Sequence, residues 1–215
     1  MTSLLWSTHE VTTETPLPAS ATLSSALALL HDHAAFQSQQ PLATHNEPIS
    51  TPPKDSFLAT KALSFCPEGT EPEYRSVTIE VPMAFLGANT FITHSAFVNT
   101  EDGMIVVFQA PMSLNGWSRW SVVKTENEGD AGLLLREQAT LTGLRFLMPF
   151  VVGTEKKSHK DFQLNFAKRL ESDVDESATV AKSLPKVERS NLIRFDSMYH
   201  GNQYKTAQLA MLKLS

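Results

Sequence analysis

The sequence predicts an α+β fold: a curved antiparallel sheet of about six to seven strands wrapped around a long C-terminal helix, with a ligand cavity between them. Three observations carry this. Five strand-like runs follow one another between residues 74 and 143, separated by short turn signals. Residues 148–171 then switch to helical periodicity with one apolar stripe. A strand-like run and a helix precede the block.

Residues 3–13, SLLWSTHEVTT, alternate loosely and carry threonine and valine, so they read as the first strand. Prolines in ETPLPASAT stop it. Thr22 to Ser25 offer hydroxyls for an N-cap, and Leu23, Leu27, Leu30 and Ala34 recur at helical spacing. A helix is expected to about Gln39, ended by Pro41. It carries His31-Asp32-His33, but residues two apart on a helix point about 200° away from each other. The two imidazoles therefore cannot bind one ion, and no metal is expected. Residues 41–56 hold four prolines and no periodicity, which predicts a surface loop. SFLATKALSFCPEG fits either a helical turn or the start of a strand.

The strand-like runs are YRSVTIEVPMAF (74–85), NTFITHSAFVNT (89–100), GMIVVFQAPM (103–112), GWSRWSVVKTE (116–126) and AGLLLREQATLTG (131–143). LGAN, TEDG, SLNG and NEGDAG separate them, and links this short predict an antiparallel meander. From about Met148 to Glu171, Val152, Glu155, His159, Phe162, Phe166 and Leu170 fall on one helical stripe. Lys156, Lys157, Lys160, Gln163 and Lys168 take the other face, and Pro149 suits the first turn. The expected organisation is one domain over 1–171 and a charged, serine-rich linker or mobile loop over 172–190. A C-terminal extension over 191–215 would pack on the domain or on a partner.

Composition removes several function classes. A net charge of -5 offers no clustered basic face for nucleic acid. No apolar run reaches the roughly 18 residues of a membrane span. The start, MTSLLWSTHE, lacks a basic segment followed by an apolar one, and the single cysteine, Cys66, forms no internal disulfide. Both suit a cytoplasmic location. No base lies near Cys66 in the sequence, so it reads as an inert thiol. Phosphate-binding, dinucleotide-binding, serine-elbow and paired CxxC motifs are missing. No cofactor is expected, and a homodimer stays open.

The stretches LALLHDHAAF, FITHSAFVNTEDGMIVVFQAPM and LREQATLTGLRFLMPFVVGTEKKSHKDFQLNFAKRL, in this element order, resemble the START-like superfamily. Its members share the helix-grip fold and include polyketide cyclases, lipid-transfer domains and plant pollen-allergen-type binding proteins. The chain looks most like a fungal branch of it. The resemblance covers residues 3–171 and implies a fold and a ligand cavity. It brings no catalytic signature.

Strand alternation orders the candidate site residues. In LLLREQATL, Leu133, Leu135, Glu137, Ala139 and Leu141 share one face, and Arg136, Gln138, Thr140 and Thr142 the other. Glu137 is then a carboxylate on an apolar face, where burial raises its pKa or demands a partner. If Lys124 marks the outside of GWSRWSVV, Trp117 and Arg119 point inward and Arg119 is available to Glu137, leaving Trp120 outward. Parity cannot place His94. Glu155 and His159 lie one turn apart on the helix stripe, and histidine titrates near neutrality. The catalytic candidates are therefore His159, Glu137 and Arg119. The ligand-binding candidates are His94, Trp117, Trp120, Phe108, Leu135, Glu155, Phe162 and Phe166. Against these stand plainer readings: a structural Glu-Arg pair, a core histidine bonded to a carbonyl, and tryptophans that only pack. The acidic turn NTEDG uses Asn, Asp and Gly for backbone geometry rather than for calcium.

Two functions fit. One is a cofactor-independent cyclase or isomerase acting on a hydrophobic intermediate, polyketide-like by the resemblance, with His159 or Glu137 moving a proton. The alternative is a non-catalytic carrier of a lipid, sterol or other apolar metabolite. Polar groups converging at one spot in an apolar pocket would favour the enzyme. A third option is a collapsed cavity in an interaction protein.

Overall fold

Seven strands build one curved antiparallel sheet, and the computed structural model places helices on both of its faces. Residues 5–83, 87–125 and 132–183 are described, with side chains over 5–81, 89–125 and 132–172. The chain divides into Met1–Ala178 and Thr179–Ser215. The expected extension over 191–215, the LGAN and NEGDAG turns in part and the end of the expected linker lie outside the described residues.

The elements are β1 (Trp6–Pro16), α1 (Leu23–His31), α2 (His33–Ser38), β2 (Ala43–Pro48), α3 (Phe57–Leu63), β3 (Glu73–Met83), β4 (Gly87–Thr100), β5 (Gly103–Gln109), β6 (Asn115–Lys124), β7 (Leu133–Leu144) and α4 (Met148–Ser183). The order across the sheet is β1-β7-β6-β5-β4-β3-β2. Strands β2 to β7 thus pair with their neighbours in sequence, as short links dictate. β1 returns to the far edge and pairs along its whole length with β7, Val11 opposite Ala139 and Thr13 opposite Glu137.

The concave face carries Phe97, Met104, Val106, Trp120, Val122 and Leu135. Against it pack Leu30 of α1, Phe36 of α2, and Phe162, Phe166 and Leu170 of α4. Each fully buried side chain of this kind contributes about 1.5–3 kcal/mol, far above the tenths that helix propensity supplies. The stripe, not propensity, holds α4 in the grip. The helix continues past Glu171 to Ser183, over part of the segment expected to be a linker.

Two local features differ from the sequence reading and two complete it. The first helix breaks at Asp32, which caps the end of α1 and accepts a hydrogen bond from Ala35 N–H as the N-cap of α2. The break sends the histidines apart. His31 Nε2 meets the Gly103 carbonyl at 2.8 Å, while His33 stacks on Phe97, donates from Nδ1 to Glu73 and meets Asn99 through Nε2. Both hold structural contacts between the helices and the sheet. Second, the supposed loop 41–56 contains β2, a short edge strand on β3. Third, SFLATKALSFCPEG forms α3, with Ser56 as N-cap. Fourth, α3 covers the convex face, where Leu58 and Ala62 pack on Tyr74, Ala96, Val98, Ile105 and Val107.

Gly103 opens β5 where another backbone comes close. A Cβ there would run into the Trp120 carbonyl oxygen. Gly103→Ala is expected to force β5 off β6 and cost about 1–3 kcal/mol, read as a lower urea midpoint. An unchanged midpoint would contradict this pairing. No described helix is long and apolar enough to cross a membrane.

Candidate functional site

Between the concave face and the first half of α4 the packing opens into a cavity of about 310 Å³. Its walls are Val77, Ile79 and Val81 of β3, Phe91 of β4, Val106 and Phe108 of β5, and Ala139 and Leu141 of β7. Leu147, just before α4, and Phe150 and Val151 in its first turn face them, and Phe36, Gln37, Gln40 and Leu42 close one end. Phe150 and Met112 are about half exposed, so the cavity reaches the surface between the β5–β6 turn and the start of α4. Its size sits at the lower end of the range for sites that hold drug-sized ligands, about 300–1,000 Å³.

One polar cluster interrupts these walls. β7 alternation turns Glu137 inward, where it is 1% exposed. α4 presents Glu155 and His159 one turn apart on the side facing the sheet. His159 Nδ1 lies 2.8 Å from both Glu137 oxygens and therefore donates to the carboxylate. Glu137 Oε2 also accepts from the Thr13 hydroxyl at 3.1 Å. That hydroxyl accepts from Gln163 Nε2 at 2.7 Å, and Gln163 Oε1 accepts from Thr15. Every donor in this chain points toward the carboxylate, which fixes Glu137 and, through it, the imidazole. Nδ1 is committed; Nε2 has no hydrogen-bond partner among the described residues, and the ring lines the cavity.

The charges follow from these distances. Burial pulls the His159 pKa down, but the Glu137 charge and hydrogen bond, with help from Glu155, outweigh it and raise it above 6.5. Burial pushes the Glu155 carboxyl up to about 7; Glu137 adds to the rise, and the His159 and Lys156 charges oppose it. Both Glu155 oxygens are buried without a hydrogen-bond donor, and Oε1 is 3.7 Å from His159 Nδ1. A carboxyl half-ionised near neutrality beside an imidazolium is a matched pair for moving protons.

Ligating atoms of Glu137, Glu155 and His159 all lie within 4.8 Å of one another. These are the residues a divalent ion would use. We read them as a proton-sharing cluster, because Nδ1 already stands at hydrogen-bond distance from both Glu137 oxygens and an ion would have to displace that proton.

The sequence candidates separate into three groups. His159, Glu155, Trp120 and Phe108 line the cavity. Glu137, Leu135, Phe162 and Phe166 sit behind the lining: Glu137 bonds to His159, and the other three are core. Arg119, Trp117 and His94 are on the convex face. Arg119 is bonded to Asp102 at 2.8 Å, so the expected Arg119–Glu137 pair is replaced by His159 and Thr13. Trp117 packs on Phe65, and His94 is exposed. The expected facing of β6 is inverted because Lys124 is its last residue. Lys124 shares the concave side with Trp120 but lies beyond the core, where exposure says nothing about facing. Trp120 instead stands opposite Glu137, with its indole N–H held by Ser118 and its ring 5.8 Å from the His159 ring.

Sequence reasoning missed Thr13, Thr15 and Gln163. The threonines read only as strand formers, and Gln163 reads as part of the lysine face although it is 1% exposed. The available signal was spacing, since Glu155, His159 and Gln163 recur every fourth residue. Cys66 lies under the convex face beside Phe65, and burial pushes its thiol up, away from thiolate character.

Residues 6–172 match the family model described as "Domain of unknown function (DUF7053)". No curated protein matches the chain. Similar solved structures include TTHA0849 from Thermus thermophilus, at 13% identity over 77% of this chain and 99% of that one, TM-score 0.47. The Zhui aromatase/cyclase from Streptomyces sp. R1128 matches at 12% identity over 78% and 96%, TM-score 0.49. The di-domain ARO/CYC StfQ from the steffimycin biosynthetic pathway matches at 9% identity over 80% of this chain, TM-score 0.48. The chain covers 52% of that di-domain's length.

Proposed function

We propose, for a chain that belongs to the DUF7053 family of domains of unknown function, that it is a cofactor-independent enzyme of the cyclase or isomerase type. Its substrate is a hydrophobic intermediate bound in the cavity, polyketide-like by the superfamily resemblance. One observation carries the reading: the only carboxyl with two orphaned buried oxygens among the described residues, Glu155, shares an apolar cavity with an imidazole whose inner nitrogen is pinned.

The step common to both reaction types is enolisation of a bound ketone. Glu155 takes the proton from the carbon next to the carbonyl. His159 gives its Nε2 proton to the carbonyl oxygen, and the electron pair of the broken C–H bond becomes the C=C of the enol. Return of a proton to a different carbon isomerises the substrate; attack of the enol carbon on a second carbonyl closes a ring. Glu137 touches His159, not the cavity, so it positions the acid and holds its charge.

The test uses apolar compounds extracted from the purified chain and returned to it in solution. His159→Ala and Glu155→Ala are expected to lower turnover about 100-fold or more while binding changes much less. Glu137→Gln is expected to lower turnover and to move the alkaline limb of the pH profile to lower pH, because His159 loses the charge that raises its pKa. If the variants convert the compound as fast as the native chain, His159 and Glu155 are not the acid and base; if the native chain binds it without converting it, the protein is a carrier.

A further inference from the structure

The least satisfied polar group in the described chain is the Glu155 carboxyl, and it specifies a ligand. Its side chain is 10% exposed, and neither oxygen meets a donor. Three nearby donors are spent elsewhere: His159 Nδ1 on Glu137, the Thr13 hydroxyl on Glu137, and the Trp120 indole N–H on Ser118. A buried acceptor without a donor costs free energy that hydrogen bonding recovers, so a ligand supplying the donor is favoured over one of equal shape without it. We propose that the cavity selects neutral ligands that place a hydroxyl, phenolic or enolic, against Glu155 and a flat apolar body over Trp120 and Phe108.

Three alternatives fit the same group less well. A carboxylate ligand, such as a fatty acid, would set a second anion against Glu155 and Glu137. A protonated amine would meet the imidazolium 3.7 Å from Glu155 Oε1. A two-chain lipid exceeds a cavity of about 310 Å³. The inference deepens the proposed function and rests on it, because it assigns the ligand chemistry of the same cavity and the same carboxyl.

A matched set of probes on one ring system tests it by titration calorimetry of the full chain: 2-naphthol, naphthalene and 2-naphthoate. The hydroxyl compound is expected to bind about tenfold or more tighter than naphthalene, the size of a hydrogen bond to a charged group, and naphthoate weaker than either. In Glu155→Leu the advantage of naphthol over naphthalene should fall to about twofold or less. The native-chain comparison stands alone if that variant fails to fold. Equal binding of naphthol and naphthalene would overturn the selection while leaving the cavity reading intact; so would naphthoate binding tightest, which would make His159 an anion site. No binding by any of the three would remove the cavity reading and this proposal with it.

Discussion

Replacing Glu155 by glutamine is expected to stabilise the protein at pH 8 by about 2–3 kcal/mol, although nothing in its packing improves. The argument is one of linkage. An acid whose folded pKa is raised from 4.5 to about 7 is protonated in both states below 4.5 and costs nothing there. Between 4.5 and about 7 the unfolded chain ionises and the folded chain resists, so the folded state loses ground; above about 7 the loss is complete. A shift of that size corresponds to about 3 kcal/mol, reduced slightly because His159 loses an anionic neighbour in the variant. At about 2–4 °C per kcal/mol for a chain of this length, the melting temperature should rise by about 5–10 °C at pH 8. The gain should vanish near pH 4. A variant no more stable than the native chain at pH 8 would mean that Glu155 is not held in an unsatisfied state. Such a gain from removing an ionisable group marks a site kept at a cost to stability.

Glu137→Ala should act in the opposite direction and be the most damaging single change in the cluster. It removes the partner of a largely buried imidazolium, leaves the Thr13 hydroxyl without its acceptor, and opens a void beneath Trp120. Breaking such a pair from one side costs about 3 kcal/mol, or about 6–12 °C in melting temperature. The pH signature separates this from simple loss of packing. His159 has a raised folded pKa, so its contribution is fully present below 6.5 and is lost as pH rises through the raised value. The gap between native chain and variant should therefore be widest near pH 6 and narrow toward pH 9. A gap that does not change with pH would show that Glu137 serves only to fill space.

Much of this arrangement was legible in the chain. Alternation in LLLREQATL puts Glu137 on the inner face, and the 3.6-residue period of α4 puts Glu155, His159 and Phe162 opposite it. Those two elements run long and regularly, so their periods survive noise. Where the pattern is short or the cue indirect, it fails. Arg119 and Trp117 fall on the wrong face when one lysine at a strand end stands for the whole strand. Asp32 breaks a helix whose apolar spacing continues through it, because an aspartate can cap a new helix as easily as decorate an old one. β2 hides between Pro41 and Pro48, since an exposed edge strand needs no apolar alternation. The relay through Thr13, Gln163 and Thr15 joins residues about 150 positions apart, which no local pattern encodes.

The central claim is that an apolar hollow between the concave sheet and the first half of α4 takes a small molecule against Glu155 and His159. A crystal structure of the chain soaked with 2-naphthol tests it most directly. The account expects density between Trp120 and Val151, with the hydroxyl oxygen at hydrogen-bond distance from a Glu155 oxygen. Side chains packed solid across that space, or density only on the convex face beside Trp117 and Phe65, would contradict it.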